Sequence, residues 1–264
     1  MKTLVLEYRR WGISHRCVRV VPESWAELTP QQFLQVAALY RQEVEPERFL
    51  ATFFGLPARL LDDYQLYSLT KLTEFLGDCR VRLDRFILPS LGRLRAPGVR
   101  LKGITFEHFM LADTAFSRYV RDGLDASLDH FVSLLYLLPA EHVVLPPDAR
   151  KGLFSHPKVL NPARRRKQLA REDRTAKYAI FLNYVFVRCW LSHSFPWLFP
   201  TDDGPDNPPD RRQKPASHTV NWLDIFDAFV GDNVAQMDKF RQMPATTAFR
   251  LLNRRIRDAQ TKKR

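Results

Sequence analysis

Residues 28–40 read LTPQQFLQVAALY and contain a complete helix start. Thr29 is placed as the N-cap, its hydroxyl accepting a backbone N–H that the first turn leaves without an intrahelical partner. Gln32, three residues on, completes a capping box by returning a hydrogen bond to the cap residue. Pro30 fits the first helical position, where no N–H is needed and φ is already set. Leu28 and Phe33 occupy the two positions of a hydrophobic staple. Phe33, Val36, Ala37 and Tyr40 then follow at i, i+3, i+4 and i+7, which lays them on one face to be buried. A helix with one apolar face needs other elements to cover it, and the flanking sequence supplies them.

Upstream, TLVLEY (3–8) alternates with Leu4, Leu6 and Tyr8 on one face, and CVRVV (17–21) alternates with Val18 and Val20 opposite Arg19. Gly12 lies between, so the pattern predicts a β-hairpin, which Trp25 anchors to the helix. Downstream, helices are expected at about 46–54, stopped by Gly55 and Pro57, and at about 66–76, burying Leu69, Leu72 and Leu76 and stopped by Gly77. Residues 82–104 carry Pro89, Gly92, Pro97, Gly98 and Gly103 among short apolar pieces, which favours a loop or irregular hairpin with arginines along exposed edges. Helices resume at about 106–120, with Phe106, Phe109, Met110 and Phe116 inward, and at 126–138, with Leu128, Phe131, Val132 and Leu135 inward. One long helix is expected over 162–192. Its first half is basic, and its second half, YAIFLNYVF (178–186), is apolar all round, the mark of a helix at the centre of a core.

TDDGPDNPPDRRQKPAS (201–217) has four prolines and no sizeable apolar side chain, so it is expected to be an extended, mobile linker. A short amphipathic helix with Trp222, Ile225, Phe226 and Phe229 follows, and then a last helix from about Pro244. The fold class is therefore α+β: mainly helical, with an N-terminal hairpin and an irregular or β insertion near 82–104. The expected organisation is a main helical domain over 1–200, the linker over 201–217, and a C-terminal helical segment with a basic tail over 218–264.

The chain has 264 residues, 45% of them hydrophobic, with 19 Phe, 8 Tyr and 5 Trp. That is enough apolar surface for a substantial core and excludes global disorder. Cys17, Cys79 and Cys189 are odd in number and far apart, which argues against a disulfide framework or a cysteine zinc site and for free thiols in a reducing compartment. MKTLVLEYRR lacks the apolar run of a secretory signal, and the apolar stretch at 178–200 is interrupted by Asn183, Arg188 and His193. A cytoplasmic protein without a membrane span is expected.

The net charge of +12 is local. Residues 80–102 hold seven basic residues against Asp84, residues 161–174 hold six against Glu172 and Asp173, and residues 244–264 hold seven against Asp258; the remainder of the chain is net acidic. Such patches face nucleic acid or an acidic partner, or are simply solvated helix faces.

Catalytic and cofactor patterns are missing from the sequence. No two of the seven histidines stand at helical metal-ligand spacing; a spatial site from Glu107, His108 and His130 is the one arrangement left open. There is no Gly-x-Ser-x-Gly elbow, no phosphate-cradling loop and no dinucleotide fingerprint. The expectation is a protein that is not an enzyme and uses no cofactor. The candidate binding residues lie in the last helix. Phe249, Leu252 and Ile256 form an apolar stripe that either docks on the body or waits for a partner, and Arg250, Arg254 and Arg257 line another face at i, i+4 and i+7.

Two stretches carry a resemblance. The N-terminal hairpin with PESWAELTPQQF (22–33) is similar to the opening of tail-assembly-chaperone-like proteins of phages and prophages. NWLDIFDAFVGDNVAQMDKFRQMPATTAFRLLNRR (221–255) resembles their closing pattern, a Trp-led short helix followed by a helix in a basic tail. Together they cover about a third of the chain. The resemblance implies virion morphogenesis: a protein that engages a tape-measure or tail-tube protein during tail assembly. A basic nucleic-acid-binding accessory protein and a structural virion connector component are the alternatives.

Overall fold

The computed structural model describes residues 1–10, 13–56, 62–78, 80–141, 162–200, 222–231 and 237–261. The expected linker at 201–217, together with Cys79, His142, His156 and His218, lies outside them. The fold is mainly helical with two small antiparallel sheets, as the sequence predicts.

The hairpin pairs β1 (Lys2–Arg10) with β2 (Ile13–Val21), with Leu6 opposite Cys17 and Val5 opposite Val18. Leu6 and Val21 are buried and Leu4 and Cys17 half-buried against the helices, whereas Val5, Val18 and Val20 face outward. A 3-10 turn at Trp25–Glu27 leads into α1 (Pro30–Tyr40). Its start is the one written in the sequence: Gln32 N donates to Thr29 Oγ1 at 3.2 Å, and Gln32 Oε1 accepts from Thr29 N at 3.1 Å. Phe33, Val36 and Ala37 are buried, while Tyr40 is partly exposed and donates its hydroxyl to Leu76 O at 2.6 Å.

The second helix, α2 (Pro46–Phe54), ends at Gly55, whose left-handed φ of 63° closes the last turn. The next, α3, spans Asp63–Leu72 and starts earlier than the expected 66 because Asp62 and Gln65 form a second capping box. It also ends earlier. Glu74–Gly77 tightens into a 3-10 turn, and the carbonyls of Phe75 and Leu76 there are taken by Trp25 Nε1 (3.0 Å) and Tyr40 Oη. Trp25 does more than anchor the hairpin. Its ring lies 4.6 Å from that of Phe186 and 6.2–6.4 Å from those of Phe33, Tyr40 and Phe75, joining four elements.

The insertion at 82–104 contains β3 (Ser90–Leu91) and β4 (Leu94–Arg95), joined through Gly92 at φ 54°, and a 3-10 turn at Val99–Leu101. The left-handed φ of Gly92 is what calls for glycine; the Glu172 carboxylate over it is the end of a flexible side chain that can move aside. Two antiparallel helices follow, α4 (Phe106–Asp122) and α5 (Asp125–Leu135).

The long helix expected over 162–192 is in fact two, α6 (Pro162–Leu169) and α7 (Arg174–Ser194). Asp173 is the reason: its carboxylate accepts from Thr175 N at 3.2 Å and caps a new helix. The apolar all-round character of α7 has a clear use. Ile180, Tyr184, Val187 and Leu191 enter a large core with α4 and α5, while Ala179, Leu182 and Phe186 enter a second core with α1, α2 and the hairpin. The remaining helices are α8 (Trp222–Val230), α9 (Met237–Arg241) and α10 (Ala245–Thr261). Residues of the expected C-terminal segment (218–264) share the core of the expected main domain: Trp222, Phe226, Phe249 and Leu252 pack with Phe106 and Phe109.

Candidate functional site

The candidate residues of α10 divide cleanly by what covers them. Phe106 N donates to Met243 O (2.7 Å) and Ala245 N to Ile104 O (3.2 Å), which stitches the start of α10 to the start of α4. That fixes the rotation of α10. Phe249 is fully buried, its ring 4.6 Å from Phe109 and 5.4–6.1 Å from Phe106, Phe195 and Phe199. Leu252 is buried beside it and Ile256 is half-buried against the same core. Of the two readings of the stripe, docking on the body is the one observed. Phe249 and Leu252 are therefore unavailable to a partner.

Arg250, Arg254 and Arg257 remain exposed, the Arg254 side chain at 76%. Asp258 is shared between two of them, 3.6 Å from Arg254 Nε and 3.2 Å from Arg257 Nη2. Exposed pairs of this kind contribute at most about 1 kcal/mol, so the face keeps its positive potential. The 3-10 turn at Val99–Leu101 packs against α10 and carries exposed Arg100, whose Nε is 3.3 Å from Asp84 Oδ2. Two basic stretches far apart in sequence thus adjoin in space. Arg100 and Leu101 both hold left-handed backbone, φ 57° and 58°, a strain that persists only where surrounding contacts enforce it.

Two residues of this region escaped the sequence reading. Trp197 is 43% exposed, and the backbone N–H groups of Trp197 and Leu198 both donate to Asn253 Oδ1, at 2.9 and 3.1 Å. An accessible indole therefore stands beside the arginine helix. Asp113 is the other. It is 2% exposed and accepts from Tyr184 Oη (3.0 Å) and Trp222 Nε1 (2.9 Å), with Arg188 Nε at 3.6 Å. Burial, with the Asp113 carboxylate beside it, pushes the Tyr184 phenol well above its usual range. The carboxylate joins α4, α7 and α8, and its position at i+4 from Phe109 on an apolar face is the one sequence signal that marked it.

Comparison with family models, curated proteins and solved structures finds no match for this chain.

Among the described residues the histidines do not assemble into a metal site. His108 is buried, with Nδ1 2.9 Å from Thr105 Oγ1 at the start of α4. His130 is half-buried; desolvation first, and then the charges of Arg166 and Arg118, hold its pKa below the ordinary value. Among the described residues no group of three or more His, Cys, Asp or Glu side chains is placed to hold a metal ion, and no helix is long and apolar enough to cross a membrane. What the region around α10 offers is a rigidly mounted, positively charged helix face with an indole at its margin.

Proposed function

We propose that this chain is a non-enzymatic assembly chaperone of the phage-tail type, acting in the host cytoplasm and holding a tape-measure or tail-tube protein through the arginine face of α10. The observation that supports this reading is the division of labour on that helix. Its apolar stripe is used up in the core, while Arg250, Arg254 and Arg257 stay exposed on a helix that cannot roll. A fixed row of guanidinium groups suits carboxylates on a partner surface, which it binds in planar, bidentate pairs. Trp197 adds an amphipathic contact of the kind enriched at protein interfaces.

The same indole beside arginines favours a second reading, single-stranded nucleic acid held by phosphate pairing and base stacking. Changing Arg250, Arg254 and Arg257 together to Glu separates the two. The proposed function predicts an unchanged fold by circular dichroism, loss of tail assembly with the neighbouring gene products, and little nucleic-acid affinity to lose. The second reading predicts a steeply salt-dependent nucleic-acid affinity whose log–log slope flattens by roughly 0.7–0.9 per lost phosphate contact. Intact assembly in the folded triple variant overturns the proposed function.

A further inference from the structure

β1 and β2 form a sheet of two strands, and among the described residues no backbone group pairs with β2 from its outer side. An edge strand nine residues long presents a row of N–H and C=O groups that a further strand can complete. Part of that edge borders a groove. Arg19, Val20 and Val21 lie along one side, Gln31 and Gln35 of α1 along the other, and Thr52–Gly55 at the end of α2 closes it. Within this lining the Gln35 side-chain oxygen is shielded from solvent and accepts no hydrogen bond.

We propose that the outer edge of β2 is a strand-addition site for an extended acidic peptide segment of a protein partner. The charge of the strand selects the occupant. Arg16 and Arg19 are exposed, ISHRCVRVV contains no acidic residue, and Glu7 of β1, opposite Arg16, is the one acid paired across the hairpin. An incoming strand gains from carboxylates opposite both arginines, because opposite charges across a strand pair stabilise it. Exposed Val18 and Val20 share the face of Arg16 and ask for apolar partners there. A second copy of β2 is disfavoured in the antiparallel register that sets Arg16 against Arg19, where like charges meet, whereas an acidic strand gains at both positions. The inference is independent of the role given to α10.

Antiparallel to residues 16–21, the complementary order is TVEVTE, and the probe is the blocked, labelled peptide SSTVEVTESS. Fluorescence anisotropy should show saturable binding, at least tenfold weaker for the form with both Glu replaced by Gln and absent for the form with Lys. Arg19→Glu should weaken the acidic peptide at least tenfold and favour the Lys form, with melting temperature unchanged. The Arg250, Arg254 and Arg257 triple variant should keep wild-type affinity, and bound peptide should slow hydrogen exchange at amides of residues 15–21. Failure of the acidic peptide to saturate overturns the proposal. So does equal affinity for Arg19→Glu, protection confined to α10, or a free protein that sediments as a dimer dissociated by Arg19→Glu.

Discussion

Asp113→Ala is expected to destabilise the protein by about 3–5 kcal/mol, the range for removing one partner of a buried charge pair. The carboxylate is 2% exposed, accepts two hydrogen bonds and faces the Arg188 guanidinium, all three groups coming from two other helices. Without it Tyr184 Oη and Trp222 Nε1 are left in the core with no acceptor, and each orphaned group carries a desolvation penalty. The Arg188 side chain is 30% exposed, so water takes up part of its charge and places the result toward the lower end. Asp113→Asn keeps an acceptor oxygen and should fall between alanine and wild type. Urea unfolding measures both, and a loss below about 1 kcal/mol for alanine would mean that the three-helix network does not hold α8 to the body.

Phe33→Ala is expected to cost a similar amount, about 3–5 kcal/mol, for a different reason. Phe33 has no exposed surface, and its ring meets Trp25 edge-on at 6.2 Å in the core shared by α1, α2, α7 and the hairpin. Truncation removes the burial of a phenyl ring and leaves a cavity that α7, fixed on its other side by the larger core, is poorly placed to fill. A change below about 1 kcal/mol in the same unfolding measurement would place that face of α1 on the surface. The two variants act on different cores, so their effects should add in the double variant to within about 0.5 kcal/mol.

Local signals were the legible ones. The capping box at Thr29, the glycine stop at Gly55 and the all-round apolar YAIFLNYVF each concern a few consecutive residues, and the structure carries all three. The break before α7 was equally local, but the basic run preceding Asp173 is compatible with a continuing helix, so its cap went unread. Asp113 and Trp197 were not legible because their meaning depends on contacts with residues 109 and 56 positions away. For the candidate site, periodicity separated the stripe of α10 from its arginines. It did not reveal which core would cover the stripe, because that depends on the start of α4, to which the start of α10 is stitched through Ile104 and Met243.

Contact in the cell tests most directly the proposal that the exposed face of α10 meets a tail protein. Arg254, exposed and outside the core, can be replaced by the photo-crosslinking residue p-benzoylphenylalanine without disturbing Phe249 or Leu252. Irradiating cells that express this variant with the neighbouring tail genes should give one dominant adduct containing the tape-measure or tail-tube protein. A variant that folds and assembles tails yet crosslinks only to nucleic acid, or to nothing, would contradict the account.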